Sequence, residues 1–391
     1  MCKINLLLII MSYLKIFFLM LCMILVSCTG QKTGKENDNN DKIAIEVGEI
    51  KFPPQDVLQL KSYYLSSSVH VDSIDYLIGY NYRLHSLDCM NLKSKSVTQI
   101  VLPGDGPDAI VRLSGIYAQS LDSVWISDES ERAFLIDSVG TIKRMIDLKK
   151  YLEDQEQLLI NTNYAMFTSH LFYNASRHSL MFLVKHTPSN TFIVKEAFID
   201  EVGKMATYQL SSSKVVPDMS KGYAYINFPN VNFVGENIVY NYPVESSIYM
   251  LDIRTNERKY ILADSHYTSN IIEKCTTSGD YATLEKHWLE NSHFYDIMYL
   301  PKYKIYARLH ADKVDFDEKK GMEKLINERD LYLMLFDENM EKIGETKLSN
   351  CRYSPFTSWN ATYGGIALFV DNVLDEKNNT DDLTIDIISL K

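Results

Sequence analysis

Short runs in which Tyr, Ile, Val and Phe alternate with polar residues dominate the chain. They are broken by Asn, Asp and Gly, and long helical periodicity is scarce. One unit recurs: an apolar run ending in Asp, a polar turn, then a second strand-like run. It occurs as SLDCMNLKSKSVTQIVL around Asp88, FLIDSVGTIKRMIDL around Asp137 and AFIDEVGKMATYQL around Asp200. It returns as YMLDIRTNERKYIL around Asp252 and LMLFDENMEKIGETKL around Asp337. The unit predicts a hairpin in which Asp caps its own turn and Gly or Asn supplies the positive φ. A truncated sixth copy, IALFVDN then LTIDIISLK around Asp386, closes the chain. Successive Asp lie 49, 63, 52, 85 and 49 residues apart, which suits one four-stranded blade per copy. The pattern therefore predicts an all-β fold, a six-bladed β-propeller. The last copy lacks a final strand, and the spare segment Ile43–Phe52 is expected to close the ring as its outer strand.

Three stretches depart from this pattern. Residues 311–330 occupy the 85-residue gap with a charged, partly helical composition and read as a surface excursion. Residues 147–160 read as a short helix or loop. At the start, Lys3 and Lys15 precede an apolar run from Ile16 to Val26 that ends in Leu25-Val26-Ser27-Cys28. A cationic segment, an apolar core and small residues before a cysteine make a lipoprotein export signal, with the lipid on the Cys28 thiol. The run is too short to span a membrane: its 11 residues rise about 16 Å against a hydrocarbon core of about 30 Å. Extending it back to Ile4 buries Lys15, which costs roughly 2.5 kcal/mol or more. Met11 to Cys28 is itself a complete short signal, so either Met1 or Met11 serves as the start. The expected organisation is a signal peptide over 1–27, a flexible tether over 28–42 and the propeller over 43–391. The tether follows from TGQKTGKENDNNDK, which holds no large apolar residue and cannot order itself by burial.

Loss of Lys3 and Lys15 leaves 38 basic against 51 acidic residues, a net charge of −13 on the mature chain. With no Lys/Arg-rich run, nucleic acid is excluded as a partner. Cys89, Cys275 and Cys351 allow one disulfide at most, their pairing is open, and none forms a CxxC pair. His287 and His293 are six apart, and His170, His178 and His186 eight apart, spacings of structural rather than metal-binding histidines. No Gly-x-Ser-x-Gly elbow or His-Glu-x-x-His is present. The composition thus names no catalytic residue, no metal and no cofactor. About 350 residues exceed one ordinary core, and no interior linker divides them, which favours a modular architecture.

The segment Leu102–Leu148 resembles the six-bladed β-propeller lipoproteins of Bacteroidota. The resemblance is carried by Gly104-Asp105-Gly106-Pro107, by Val124-Trp125-Ile126-Ser127-Asp128 and by Leu135-Ile136-Asp137-Ser138-Val139-Gly140. Residues 295–308 (YDIMYLPKYKIYAR) resemble one uncharacterised branch of that group, with Leu300 in place of an Asp and Ala307 in place of a Tyr. The resemblance implies a fold and an address in the cell envelope, and no activity. Acidic residues begin only at Glu36, which favours the periplasmic side of the outer membrane over the cell surface. Asp72-Ser73-Ile74, Asp122-Ser123-Val124 and Asp137-Ser138-Val139 match the triplet that is O-glycosylated on exported proteins of that phylum, making Ser73, Ser123 and Ser138 candidate acceptors.

The loop Gly104–Ile110 lacks the Lys-Ser/Thr of a phosphate loop and reads as a blade-to-blade crossover. If such crossovers line the channel mouth, Asp105, Asp108 and Arg112 face a ligand there, and Arg308 is a fourth candidate through the resemblance. The 26 tyrosines, each an apolar face with a polar tip, raise carbohydrate stacking as a further reading. The expected function is a monomeric, membrane-tethered propeller that binds a partner protein or glycan without catalysis. The alternative is a propeller hydrolase or lyase acting on a carbohydrate or other extracellular substrate. Converging carboxylates or histidines with an Arg at the channel would favour the enzyme; aromatics and neutral polar groups would favour binding.

Overall fold

The structure is a computed structural model that describes residues 44–54, 58, 60–159, 168, 170–201, 203–215, 223, 228–275, 280–377 and 382–391. Six antiparallel sheets account for nearly all of its regular structure. Blade 1 holds β2 (Ser66–Val71), β3 (Ile74–Asn81), β4 (Ser86–Asn91) and β5 (Val97–Val101). Blade 2 holds β6 (Leu113–Ser120), β7 (Ser123–Asp128), β8 (Arg132–Ile136) and β9 (Ile142–Asp147). In blade 3 two short pieces, β10 (Glu156–Leu158) and β11 (Phe172–Asn174), share the inner edge of β12 (Ser179–His186). Strands β13 (Thr191–Phe198) and β14 (Met205–Gln209) complete that blade. Blade 4 runs β15 (Asn230–Val234), β16 (Asn237–Asn241), β17 (Ile248–Asp252) and β18 (Arg258–Ile261). Blade 5 runs β19 (His293–Leu300), β20 (Ile305–Ala311), β21 (Leu331–Phe336) and β22 (Lys342–Lys347).

Blade 6 is built from both ends of the chain. Its strands β23 (Trp359–Ala361), β24 (Ile366–Phe369) and β25 (Leu383–Leu390) are completed by β1 (Ile45–Phe52). The ladder pairs Ile45 with Leu390 and Phe52 with Leu383, so the expected N-terminal closure is present. Ile43, the first residue expected in that strand, lies outside the described residues, as do Cys28 and the stretches 1–27 and 28–42 expected to be signal and tether.

Blade stacking explains why strands in the middle of a blade are apolar on both faces. Val124 and Ile126 of β7 pack towards blade 1, while Trp125 between them packs towards blade 3. Every interface between neighbouring blades has such a core, and β21 is buried along its whole length. A modular core of this kind needs no linker to divide it.

The recurring Asp marks the third strand of each blade, and among the described residues three copies cap a turn. Asp137, Asp252 and Asp337 accept backbone N–H groups of the residues that follow. Asn91 does that work in blade 1, leaving Asp88 buried inside β4 to accept from Tyr63, Asn81 and Gln99. Asp386 is likewise inside a strand and holds Arg352 and Tyr353. Asp200 is exposed and pairs with Arg144. The segment 311–330 is only half a surface excursion. Its helix Met322–Asn327 buries Leu325 and Ile326 in a small cluster beside the helix Tyr281–Leu289, which the pattern did not foresee. Of the residues 147–160, those up to 159 are described and hold a 3₁₀ turn, Leu148–Tyr151, followed by β10.

Candidate functional site

The innermost strand of each blade leaves one row of backbone N–H and C=O groups without a ladder partner, and these need hydrogen bonds from elsewhere. Ser and Asn side chains on neighbouring inner strands supply them. Asn232 donates to the Ile297 carbonyl (2.9 Å), Asn230 to that of Phe294 (2.9 Å), and Ser68 to that of Ala361 (2.6 Å). Ser67 accepts from the Ala118 N–H (3.0 Å), and Asn360 donates to Ser66 (2.6 Å), whose hydroxyl also meets Ser358. The polar groups that stitch the ring together therefore also line its channel.

Within that lining lies a cavity of about 360 Å³ to which all six blades contribute. Its aromatic walls are Tyr117, Phe172, Phe233, Tyr299 and Trp359, and its neutral polar groups are Ser66–Ser68, Asn232 and Asn360. Phe172 stacks on Phe233 (centroids 4.9 Å apart) and meets Tyr117 edge-on (5.1 Å), so this wall is already braced. A bulge in β19 sets the one acidic group. Tyr295 and Asp296 together oppose Leu309, and the extra residue re-aims Asp296 into the channel. One Asp296 oxygen hydrogen-bonds His170 Nε2 (3.0 Å) and the other accepts from Trp359 Nε1 (3.0 Å). The carboxylate is buried and the imidazole a quarter exposed, so Asp296 orients His170 towards the cavity. No Lys or Arg lines it.

Topology fixes which end opens. Inner strands all run the same way, so crossovers lie at one end of the ring and the turns after β15 and β19 at the other. Gly235 and Pro301, in those turns, line the cavity, which therefore opens at the turn end. The crossover Gly104–Arg112 leads into β6 at the opposite end. Asp105 and Asp108 are exposed there, and Arg112 makes a loose ion pair with Glu129 (3.6 Å). None of these three lines the channel cavity, and Arg112 lines a separate groove at the crossover end.

Arg308 is fully buried between blades 4 and 5. Its guanidinium donates to the carbonyls of Ser246 (2.5 Å) and Ala263 (2.9 Å) and lies over the rings of Phe294 and Phe336. It is an inter-blade tie with no exposed surface, which keeps it out of reach of a ligand in this structure. Ser73 and Ser138 are exposed in turns, and Ser123 is partly buried at the start of β7. All three sit at the turn end, and Ser138 donates to Asp122 (2.7 Å) beside Ser123.

His287 bonds the Glu273 carbonyl (2.6 Å), and His293 is fully buried with its pKa pushed down by that burial. Among the described residues no group of three or more His, Cys, Asp or Glu could hold a metal ion, and Cys89, Cys275 and Cys351 form no disulfide. No helix among them is long and apolar enough to cross a membrane. The channel residues were hidden from a motif search because His170, Asp296 and Trp359 stand 126 and 63 residues apart. The one available signal was Asp296 itself, an acid inside the apolar run FYDIMYL.

The profile of a domain of unknown function, DUF4221, matches residues 36–347, most of the chain. The chain belongs to the DUF4221 family. A DUF4221 protein from Bacteroides vulgatus has a crystal structure similar to this one. Its TM-score is 0.72 at 14% identity, over 90% of this chain and 99% of that one. A candidate exported protein from Bacteroides fragilis is similar at a TM-score of 0.55 and 13% identity, over 90% and 97% of the two chains. At such identities the likeness shows the fold, a six-bladed propeller, and nothing of a ligand. No functionally curated protein matches this DUF4221 chain.

Proposed function

We propose that this chain is an exported lipoprotein, anchored through Cys28 on the periplasmic side of the outer membrane, whose propeller binds a ligand in its channel as a monomer. The observation that carries the binding reading is the lining. Five aromatic rings and five Ser or Asn side chains enclose about 360 Å³, within the size range of small-molecule sites. One acid lies among them, already bonded through both oxygens. Export is supported by the signal-like start, Lys3 to Cys28, and by the candidate exported relative.

The test is a thermal-shift screen of the mature protein against glycans and peptides. One class should raise the melting temperature, and Tyr299→Ala at the mouth should abolish that rise while leaving the unliganded value nearly unchanged. No shift with any member of either class would overturn a small-molecule channel site.

One observation favours catalysis as a second reading. His170 held by Asp296 is the pairing in which a carboxylate orients an imidazole as a general base. Turnover of chromogenic ester or glycoside substrates, lost in His170→Gln, would establish it. No turnover by the wild-type protein on either would reject it.

A further inference from the structure

A second concave surface lies at the crossover end, between blades 1 and 2, and the channel reading does not use it. This open groove of about 890 Å³ is lined by Tyr64, Tyr80, Tyr82 and His85 from the blade 1 side. Val111, Arg112 and Glu129 face them from blade 2. Tyr64 and Tyr82 are 46% and 50% exposed. Their rings are 32° from parallel with centroids 6.4 Å apart. Two large aromatic rings half in water and close to one another are a costly surface unless something covers them. The third tyrosine is built in differently: Tyr80 is buried and its hydroxyl bonds His85 Nδ1 (3.1 Å), fixing the groove floor.

The charges narrow the occupant. Arg112 and Glu129 are the formally charged side chains of the lining and pair with each other at 3.6 Å, so the groove carries no net charge. Such a pair offers N–H donors beside a carboxylate acceptor, the arrangement that adjacent hydroxyls on a sugar ring can satisfy together. The tyrosine faces match the C–H faces of pyranose rings, and an open groove admits a chain rather than a single enclosed molecule. We propose that this groove is a binding site for an uncharged oligosaccharide, stacked on Tyr64 and Tyr82 and hydrogen-bonded by Arg112 and Glu129. The site is independent of any ligand in the channel.

Affinity electrophoresis of the mature protein through gels containing dextran, xylan, glucomannan or polygalacturonate tests it, followed by calorimetry with hexasaccharides of any retarding polymer. At least one neutral polymer should retard the protein. Tyr64→Ala and Tyr82→Ala should each weaken the hexasaccharide at least tenfold, while Tyr82→Phe binds within about twofold of wild type. Both tyrosines are half-exposed, so unchanged melting temperatures will show that the variants fold. Absence of retardation by every neutral polymer overturns the proposal. So does retardation that survives both alanine variants, or retardation by polygalacturonate alone. Binding of an extended peptide instead, sensitive to the same two alanines, would reassign the groove to a protein partner and equally overturn it.

Discussion

Replacing Phe52 by alanine tests whether the N-terminal strand holds the ring shut. Phe52 ends β1 and is fully buried where blade 6 meets blade 1, against Tyr63, Leu77, Met90, Phe369, Leu383 and Ile385. Truncating a phenylalanine in such a place costs about 3–5 kcal/mol, the sum of lost transfer energy and the cavity left behind. The surrounding strands belong to two blades held by separate ladders, so collapse into the cavity is limited and the upper half of that range is expected. With a urea m-value of about 3 kcal/mol/M, the unfolding midpoint falls by about 1.3–1.7 M. Val47, in the same strand but 46% exposed, provides the control: Val47→Ala should change stability by less than about 0.5 kcal/mol. The assay is equilibrium urea unfolding followed by tryptophan fluorescence. A Phe52→Ala midpoint within about 0.2 M of wild type would show that closure by β1 contributes little, and would refute the reasoning.

Three further outcomes are expected. Burial alone would raise the pKa of Glu345, but hydrogen bonds from His310, the His266 N–H and Ser265 outweigh it and hold the carboxyl at about 2 against 4.5 unfolded. A depressed acid stabilises the fold fully above the unfolded value, so about 3 kcal/mol should be lost as pH falls from 4.5 through 2. Glu345→Gln should flatten that acid limb in pH-dependent unfolding; an identical limb in the variant would contradict the assignment. Cys28→Ala should abolish palmitate labelling and move the protein out of the membrane fraction, and persistent labelling would sink the lipid anchor. If Ser73, Ser123 and Ser138 carry glycans, the intact mass of the exported protein exceeds that of its polypeptide. The triple alanine variant then returns to the polypeptide value, and retention of the excess mass would rule these serines out.

The ring was legible because each blade repeats the same physical demand at its third strand: an apolar stretch buried on both faces, then a polar turn. The residue supplying the turn was less constrained. Any side chain that accepts backbone N–H groups suffices, so Asn91 replaces Asp88 and releases that acid to the interior. The channel was not legible, because its residues are spread over all six blades and only closure of the ring brings them together. Arg308 shows the opposite failure. The resemblance suggested a ligand role for it, yet two carbonyls of the neighbouring blade and two aromatic rings hold its buried guanidinium. Asp296, 12 residues before it on the neighbouring strand β19, carries the function-like geometry because a one-residue bulge turns it inward.

The polarity of β1 has a practical consequence. Ala44 and Lys391 are hydrogen-bonded neighbours (3.1 Å), and the Ile45–Leu390 end of their ladder lies on the side where the channel opens. The described ends of the propeller, Ala44 and Lys391, thus lie at the outer rim of the face on which the channel opens, while the tyrosine groove faces the other way. A bead, fusion partner or sensor surface coupled through Lys391 sits on the channel face and leaves the groove free. Immobilisation through an engineered cysteine on the crossover loop, at Asp105 or Asp108, reverses that preference. Comparing the two orientations separates channel ligands from groove ligands before any one of them has been identified.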